Sequence, residues 1–320
     1  MLNLSNNTTS GTASLPNFVN CYGMLEMPIN ISTSMKASAI VNILLSIPTA
    51  ILAVLGNSIV IYTIYSVKSL QKVSTYLLAY LAINDLLVGA IVLPLNIIAR
   101  ILEVFYQMRC PLEILIKVAA HSVIAQSFFT LTLLAVDQCI AITIPFRHRS
   151  MNLAKKFGIA LFGFGVLVTL IITSMLIKAF PAKMLRPVIL SLISVILCTI
   201  AVSYIQIGRV LRNRARAVQG IMHCNSFKSS SKRGAISTGI YVLTFLICVF
   251  PRFSIILMED QELLYHSMRW SAIIIWSRCV FNPLLYFYRK KDFRDAAIRV
   301  MRRRGTRGTR LERANTGAPN

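Results

Sequence analysis

Three polar side chains stand out because they lie inside long apolar stretches of the sequence. Asp85 interrupts one stretch, and Arg278 and Asn282 interrupt another near the end of the chain. Arg278 and Asn282 are four residues apart, so on a helix they share one face. A charge in apolar surroundings needs a partner, because its lost hydration must be replaced. These residue types therefore support an internal ion pair between Asp85 and Arg278, extended by the Asn282 amide.

The composition indicates that these side chains lie in a membrane. The chain has 320 residues, of which 56% are hydrophobic, a share that is too high for a soluble domain of this length. Seven apolar stretches are long enough to cross a bilayer as helices. They cover about residues 39–66, 74–99, 111–143, 157–177, 187–211, 235–258 and 268–288. The sequence therefore predicts an all-α membrane protein, a bundle of seven transmembrane helices.

Depth in the bilayer favours pairing of Asp85 with Arg278. Asp85 lies about eleven residues, or about 16 Å, from the start of its helix. Arg278 lies at about the same distance from the end of its own helix. Opposite charges near the middle of a bilayer are more stable together than apart. The alternative is that Arg278 points into a separate hydrated cavity.

The formal charge of +23 is distributed unevenly along the chain. Most cations follow the first, third, fifth and seventh stretches. The other loops carry few, chiefly Arg109, Lys178, Lys183, Arg186 and Arg269. The positive-inside rule then predicts a multi-pass protein with its amino terminus outside the cell and its carboxyl terminus in the cytoplasm. The cationic loops face anionic membrane lipids, so nucleic acid is not the expected partner.

Sequons and cysteines agree with this orientation. Residues 1–37 contain glycosylation sequons at Asn3, Asn6, Asn7 and Asn30, which are used only on the lumenal side. Cys21 and Cys110 are the cysteines on the predicted outer side, where a disulfide can form. Two free thiols are the alternative.

The predicted organisation has four parts. They are a glycosylated extracellular segment at 1–37, a transmembrane domain at 38–288, an amphipathic membrane-surface helix at 289–303 and a disordered cytoplasmic tail at 304–320. The surface helix is predicted from apolar residues on one side and basic residues on the other. The tail is basic and poor in large apolar residues.

Short motifs follow one another along these stretches. They are Gly56-Asn57, Leu81 to Asp85, Asp137 with Ala141-Ile142 and Pro145, Tyr204, Phe245 with Cys248 and Pro251, and Asn282 to Tyr286 with Phe293. Together they resemble the rhodopsin-like G-protein-coupled receptors over about residues 38–301. The resemblance implies a plasma-membrane receptor with an outer ligand pocket, a mid-depth ion site and an inner crevice that opens for a heterotrimeric G protein. A short second outer loop without cysteine is similar to the melanocortin, cannabinoid and adenosine receptors.

The resemblance also implies which residues serve activation and the G-protein face. They are Asp137, Gln138, Tyr204, Phe245, Val249, Pro251, Pro283 and Tyr286. Gln138 stands where the family usually has an arginine, and Val249 stands where it usually has a tryptophan. Gln138 can form hydrogen bonds but supplies no charge. These two departures favour the alternative function, a non-signalling seven-helix decoy or heterodimer partner.

The ligand pocket is expected near Lys117, His121 and Arg252, which match ligand-facing positions of the family. Glu113, Lys117 and His121 recur every four residues and so form one stripe on a helix. Clustered donors favour an anionic ligand with a carboxylate or phosphate, such as a lipid acid or an acidic peptide. The alternative is that Glu113 pairs with Lys117 and Arg252 bonds to backbone carbonyls. Ala120 replaces the aspartate of amine receptors, which argues against a biogenic amine.

The family's mid-depth site commonly holds a sodium ion between a carboxylate matching Asp85 and a serine matching Ser127. An asparagine or a similar residue usually stands where this chain has Arg278. We therefore hypothesise that Arg278 replaces the ion and makes the site insensitive to sodium. Asn57 and Asn282 complete the predicted polar site.

Enzymatic and transport functions are not indicated by the sequence. It shows no nucleophile-base arrangement, no metal-ligand spacing and no inverted repeat, which are the patterns that such functions require. No cofactor is expected.

Overall fold

The structure is a computed structural model, and it describes most of the chain. The described residues are 18–21, 25–28, 32–105, 110–150, 153–176, 182–218, 225–255, 261–289, 291, 293–300 and 302. Within these ranges some side chains are not described, among them those of residues 18–28, 182–190, 225–234 and 252–254.

Seven long helices form one bundle in the described part of the chain, as the sequence predicts. They are α1 (Thr33–Ser66), a second span made of α2 (Val73–Leu87), a π-helical turn (Val88–Val92) and α3 (Leu93–Val104), α4 (Cys110–Thr143), α6 (Leu153–Leu176), α7 (Ala182–Val218), α8 (Asn225–Ser254) and α9 (Gln261–Arg289). A short helix, α5 (Pro145–Ser150), follows α4. We call the end that holds Thr33, Val104 and Cys110 the amino end, and the opposite end, with Ser66, Thr143 and Arg289, the carboxyl end.

Five of these spans are long and apolar enough to cross a membrane. They are Thr33–Ser66, Val73–Val104, Cys110–Thr143, Leu153–Thr173 and Ser191–Asn213. α8 contributes a shorter apolar stretch, Ala235–Pro251. α7 and α8 both extend past their apolar stretches into the polar sequence that joins them, because arginine and lysine are good helix formers.

The outer surface of the bundle is apolar, while polar side chains are found inside. Leu44, Leu55 and Phe250 are among many large apolar side chains that are exposed. Asp85, Arg278 and other polar side chains are buried. This distribution suits a protein that is surrounded by lipid, where polar groups must find partners inside the bundle.

The Gly56-Asn57 motif packs α1 against α9. A Cβ atom at Gly56 would lie 2.9 Å from Cγ of Pro283, so only glycine permits this approach. The amide nitrogen of Asn57 donates to the Ala53 carbonyl oxygen at 2.8 Å and to the Cys279 carbonyl oxygen at 2.9 Å. The two residues therefore have a packing role at this contact.

A hairpin precedes α1. Strand β1 (Phe18–Cys21) pairs antiparallel with β2 (Leu25–Pro28), with Phe18 opposite Pro28. The sequence analysis assigned no regular structure to this segment, because strands of four residues give little periodicity. The sequons at Asn3, Asn6, Asn7 and Asn30 lie outside the described residues.

A helix follows the last span, and its predicted place on the membrane surface stays a prediction. Residues 293–300 are helical, and Phe293, Ala296 and Ala297 are buried. Phe293 forms edge-to-face contacts with Tyr286 and Phe287 at centroid distances of 6.4 and 5.4 Å. The predicted tail, 304–320, lies outside the described residues.

Candidate functional site

A buried ion cluster lies in the middle of the bundle, between α2 and α9. Arg278 Nη1 donates to Asp85 Oδ1 at 2.9 Å, and Asn282 Nδ2 donates to Asp85 Oδ2 at 2.6 Å. Arg278 is 1% exposed and Asp85 is 0% exposed. The pairing predicted from depth is therefore present in the structure, and the separate hydrated cavity was the wrong alternative.

Aromatic rings from two further helices lie beneath the guanidinium group. The Arg278 Cζ atom is 5.3 Å from the ring centroid of Phe245 on α8. The Phe245 ring is stacked on Phe128 of α4, with centroids 5.2 Å apart. A cation over an aromatic face is stabilised by the ring quadrupole. Arg278 therefore connects an acid on α2 with a ring on α8.

Two other residues of the predicted mid-depth site are bonded to the backbone. Ser127 Oγ donates to the Val123 carbonyl oxygen of its own helix at 2.9 Å. Asn57 donates to the backbone of α1 and α9. Asp85, Arg278 and Asn282 therefore lie together in the structure. The Ser127 hydroxyl is bonded to a backbone carbonyl instead.

These residues do not fit a sodium ion. Both carboxylate oxygens of Asp85 already accept bonds from nitrogen donors. A second unit positive charge at about 4 Å from the guanidinium would be repelled by about 4 kcal/mol at an effective dielectric constant of about 20. The cation that the resemblance implies would therefore compete with two nitrogen donors for Asp85 and would meet an unfavourable charge here.

A second ion cluster, which the sequence analysis did not predict, lies at the amino end. Arg100 on α3 forms ion pairs with Glu103, one turn later, and with Glu113 on α4. Arg269 on α9 pairs with the other carboxylate oxygen of Glu103. Glu103 is completely buried. The cluster therefore joins α3, α4 and α9.

The cluster continues to α1 through amide groups. Asn42 Nδ2 donates to the Arg269 carbonyl oxygen at 3.4 Å, and Asn42 Oδ1 accepts from Asn96 Nδ2 at 3.0 Å. The charge distribution predicts a loop position for Arg269, which is wrong: the residue is buried within α9. The cluster could have been found from the spacing of Arg100 and Glu103, which places them on one helix face.

The predicted ligand residues are only partly brought together. Glu113 pairs with Arg100, where the alternative interpretation had expected Lys117. Lys117 is partly buried on the same helix, and its carbonyl oxygen accepts from His121 Nδ1 at 2.7 Å. Ala120 is buried, whereas His121 is exposed. The side chain of Arg252 is not described.

A hydrogen-bonded chain of side chains surrounds Asp137 at the carboxyl end. Ser74 on α2 donates to Asp137 Oδ2, and His148 Nε2 on α5 lies 2.9 Å from Asp137 Oδ1. Gln138 Nε2 donates to Ser74 Oγ at 2.9 Å. Asp137 is completely buried. Gln138 is therefore bonded to α2, and α5 is docked on α4 through His148, a contact that the sequence analysis missed.

Aromatic side chains occupy the inside of this end. The rings of Tyr241 on α8 and Tyr286 on α9 meet edge to face at an interplanar angle of 73°, with centroids 5.0 Å apart. Together with Tyr204 on α7, they have buried hydroxyl groups without a hydrogen-bond partner in the described part of the chain. Val249 is buried in the same apolar core as Phe245. These contacts hold α8 mainly by packing.

The cysteines divide into free and bonded groups. Cys110 is disulfide-bonded. Cys139, Cys198, Cys248 and Cys279 are free. The side chain of Cys21 is not described, so its pairing with Cys110 stays a prediction.

Comparison with known proteins gives matches along most of the chain. Residues 56–286 match the 7 transmembrane receptor (rhodopsin family). Adenosine receptor A3 of Ovis aries is 23% identical over 311 residues, covering 86% of this chain and 94% of that receptor. The RYamide receptor of Drosophila melanogaster is 25% identical, covering 85% of this chain and 66% of that receptor. Formyl peptide receptor-related sequence 4 of Mus musculus is 26% identical, covering 86% of this chain and 94% of that protein. The matched range includes the mid-depth ion cluster and the Asp137 chain.

Proposed function

This chain belongs to the 7 transmembrane receptor (rhodopsin family), and on that premise we propose that it couples an anionic extracellular ligand to a heterotrimeric G protein at the plasma membrane. The observation that supports an anionic ligand is the presence of Arg100, Arg269 and Lys117 at the amino end. The proposal depends on the amino end for the ligand and on the carboxyl end, with α5, for the G protein.

The distribution of cations supports an amino end that faces outward. The exposed cations that the structure describes at the carboxyl end are Lys68, Lys72, Lys155, Lys156, Arg209, Arg212, Arg216, Arg289, Lys291, Arg294, Arg299 and Arg302. By the positive-inside rule this end faces the cytoplasm. Its cations then lie beside the anionic lipids of the inner leaflet.

The charges at the amino end support the class of ligand. Arg100, Arg269 and Lys117 carry positive charges at this end, close in sequence or in space to the carboxylates of Glu103 and Glu113. Four of these charges are buried or nearly so in ion pairs. Because charge interactions are strong where water is excluded, cations at this end favour a ligand that carries a carboxylate or phosphate. Lys117, one turn below Glu113, is the residue that we assign to this contact.

The carboxyl end supports coupling to a G protein over the decoy alternative. Phe146 on α5 is 90% exposed, although His148 docks this helix on Asp137. A large aromatic side chain held out from a rigid element suits burial in a protein partner. Gln138 favours the decoy, because it supplies no charge to this face.

A G-protein activation panel on the surface-expressed receptor tests the proposal. The ligands are fatty acids, lysophospholipids and acidic peptides, and the variants are Lys117→Met, Phe146→Ala and Gln138→Arg. We expect signal from the unmodified receptor, at least a tenfold loss of ligand potency in Lys117→Met, or about 1.4 kcal/mol, and loss of maximal signal in Phe146→Ala.

Lys36→Met is the matched control, because it removes the same charge at the same end of the bundle from α1. Its ligand potency should be unchanged. Signal that occurs only in Gln138→Arg would support the decoy, and equal losses in Lys117→Met and Lys36→Met would contradict the anionic pocket.

A further inference from the structure

We infer that the middle of this receptor is independent of ions in solution, because Arg278 is a built-in cation for Asp85 and the free edge of its guanidinium is satisfied by water. The inference concerns a site that is separate from the ligand pocket and from the G-protein face. It can therefore be tested without either partner.

The carboxylate of Asp85 is already engaged by two nitrogen donors. Asp85 Oδ1 accepts from Arg278 at 2.9 Å, and Asp85 Oδ2 accepts from Asn282 at 2.6 Å. Ser127, the hydroxyl that could serve as a further oxygen ligand, donates to Val123 at 2.9 Å. A sodium ion would have to displace both nitrogen donors and would then lie beside a buried positive charge. Such a buried pair is not broken without leaving an uncompensated charge.

The remaining donors of the guanidinium group need an acceptor. Arg278 Nε and Nη2 are buried and have no hydrogen-bond partner in the described part of the chain. Buried donors are almost always satisfied by protein or by ordered water. Asp85 already balances the charge of Arg278, so a bound anion would leave the cluster with a net negative charge. A neutral acceptor is therefore favoured, and water is the one that fits such a polar site.

The covalent attachment of this cation distinguishes the cluster from an ion site. Arg278 is part of α9, one turn before Asn282, and its guanidinium lies over Phe245 of α8. The positive charge therefore cannot leave when the salt concentration or the type of cation changes. The contacts among α2, α8 and α9 at mid-depth are maintained in every salt.

Thermal unfolding of the full-length purified receptor tests this inference. It is measured at equal ionic strength in sodium chloride, choline chloride and sodium gluconate. We expect one unfolding midpoint for the unmodified receptor in all three salts. In Arg278→Asn, which frees Asp85 Oδ1 and removes the resident charge, sodium should raise the midpoint relative to choline by at least about 2 °C.

Three further variants complete the experiment. The double variant Asp85→Asn with Arg278→Asn should lose the response to sodium, because the carboxylate is gone. Arg209→Asn, at an exposed site on α7, removes the same charge elsewhere and should behave like the unmodified receptor. Arg278→Gln serves as a second neutral variant where Arg278→Asn does not fold.

Each result decides one part of the inference. A sodium-dependent midpoint in the unmodified receptor would overturn the built-in cation. The absence of a sodium response in both neutral variants would show that the guanidinium is not what excludes the ion. A higher midpoint in chloride than in gluconate for the unmodified receptor would show that an anion, and not water, binds the free edge of the Arg278 guanidinium.

Discussion

The two ends of the bundle are held by different kinds of contact. At the amino end, Arg100, Glu103 and Arg269 join α3 to α9 through full charges. At the carboxyl end, Asp137 is held by Ser74 and His148, which tie α2 and α5 to α4. The amino end therefore has two arginines in contact with two carboxylates, whereas the carboxyl end has one carboxylate in contact with a hydroxyl and an imidazole.

The two helices α7 and α8 are held at the carboxyl end by apolar contacts. At the carboxyl end, α7 meets α4 and α8 through a small apolar cluster of Ile142, Ile207 and Ala235, and α8 meets α9 through the rings of Tyr241 and Tyr286. Packing of this kind lets helices slide more readily than ion pairs do. In the proposed orientation, we expect the end that faces the ligand to be stiffer than the end that faces the G protein.

Removal of the mid-depth cation should have the largest effect on stability, because a buried carboxylate then loses its charge partner. Arg278→Met leaves Asp85 as a buried, unpaired charge, which should lower the free energy of unfolding by about 3–5 kcal/mol. Thermal unfolding and surface expression measure the loss. The double variant Asp85→Asn with Arg278→Met should recover much of it, and a double variant as unstable as the single one would refute the pair.

Removal of the shared acid at the amino end tests the stiffness of that end. Glu103→Gln leaves two arginines close together without their common partner, and we expect a loss of about 3 kcal/mol. Chemical denaturation of the purified receptor measures it. Asp295→Asn, an exposed acid beyond the last span, is the control and should change little. Equal effects of the two variants would mean that the amino end is not held by charge.

A smaller effect on stability is expected at the uncharged contact between α1 and α9. A methyl group at Gly56 would lie 2.9 Å from the rigid Pro283 ring, so Gly56→Ala should destabilise by about 1–3 kcal/mol. Gly208→Ala on α7 is the matched control, because a Cβ there meets nothing within 4 Å. The control should be neutral or stabilise by up to about 1 kcal/mol. If both variants unfold at the same temperature, close packing does not hold α1 on α9.

The smallest effect is expected at the carboxyl end. His148→Ala removes one bond to Asp137 and should cost about 1–2 kcal/mol. Basal G-protein signalling should rise, because α5 is then less firmly docked. His148→Gln, which keeps a nitrogen donor at this place, should restore the basal level. Unchanged signalling in His148→Ala would show that α5 docking does not restrain this end.

The sequence predicted the spans and the mid-depth pair for physical reasons that do not depend on tertiary detail. Long apolar stretches specify helices in a bilayer, and Asp85 was the acid at the depth of Arg278. The amino-end cluster was missed because Arg269 lies at the edge of its apolar stretch, where a loop cation and a buried helical arginine look alike. The bond from His148 to Asp137 could not be predicted, because it depends on how α5 folds back onto α4. Ser127 is in the expected helix, but its hydroxyl is bonded to its own backbone.

The position of Phe245 beneath Arg278 adds to the free-energy cost of moving α8. The ring covers one face of the guanidinium group, and an outward swing of α8 would strip that cover away. The bared charge would then face hydrocarbon or admit water between the helices. We therefore expect displacement of α8 to cost this one contact, about 1–2 kcal/mol, in addition to the apolar packing that it breaks.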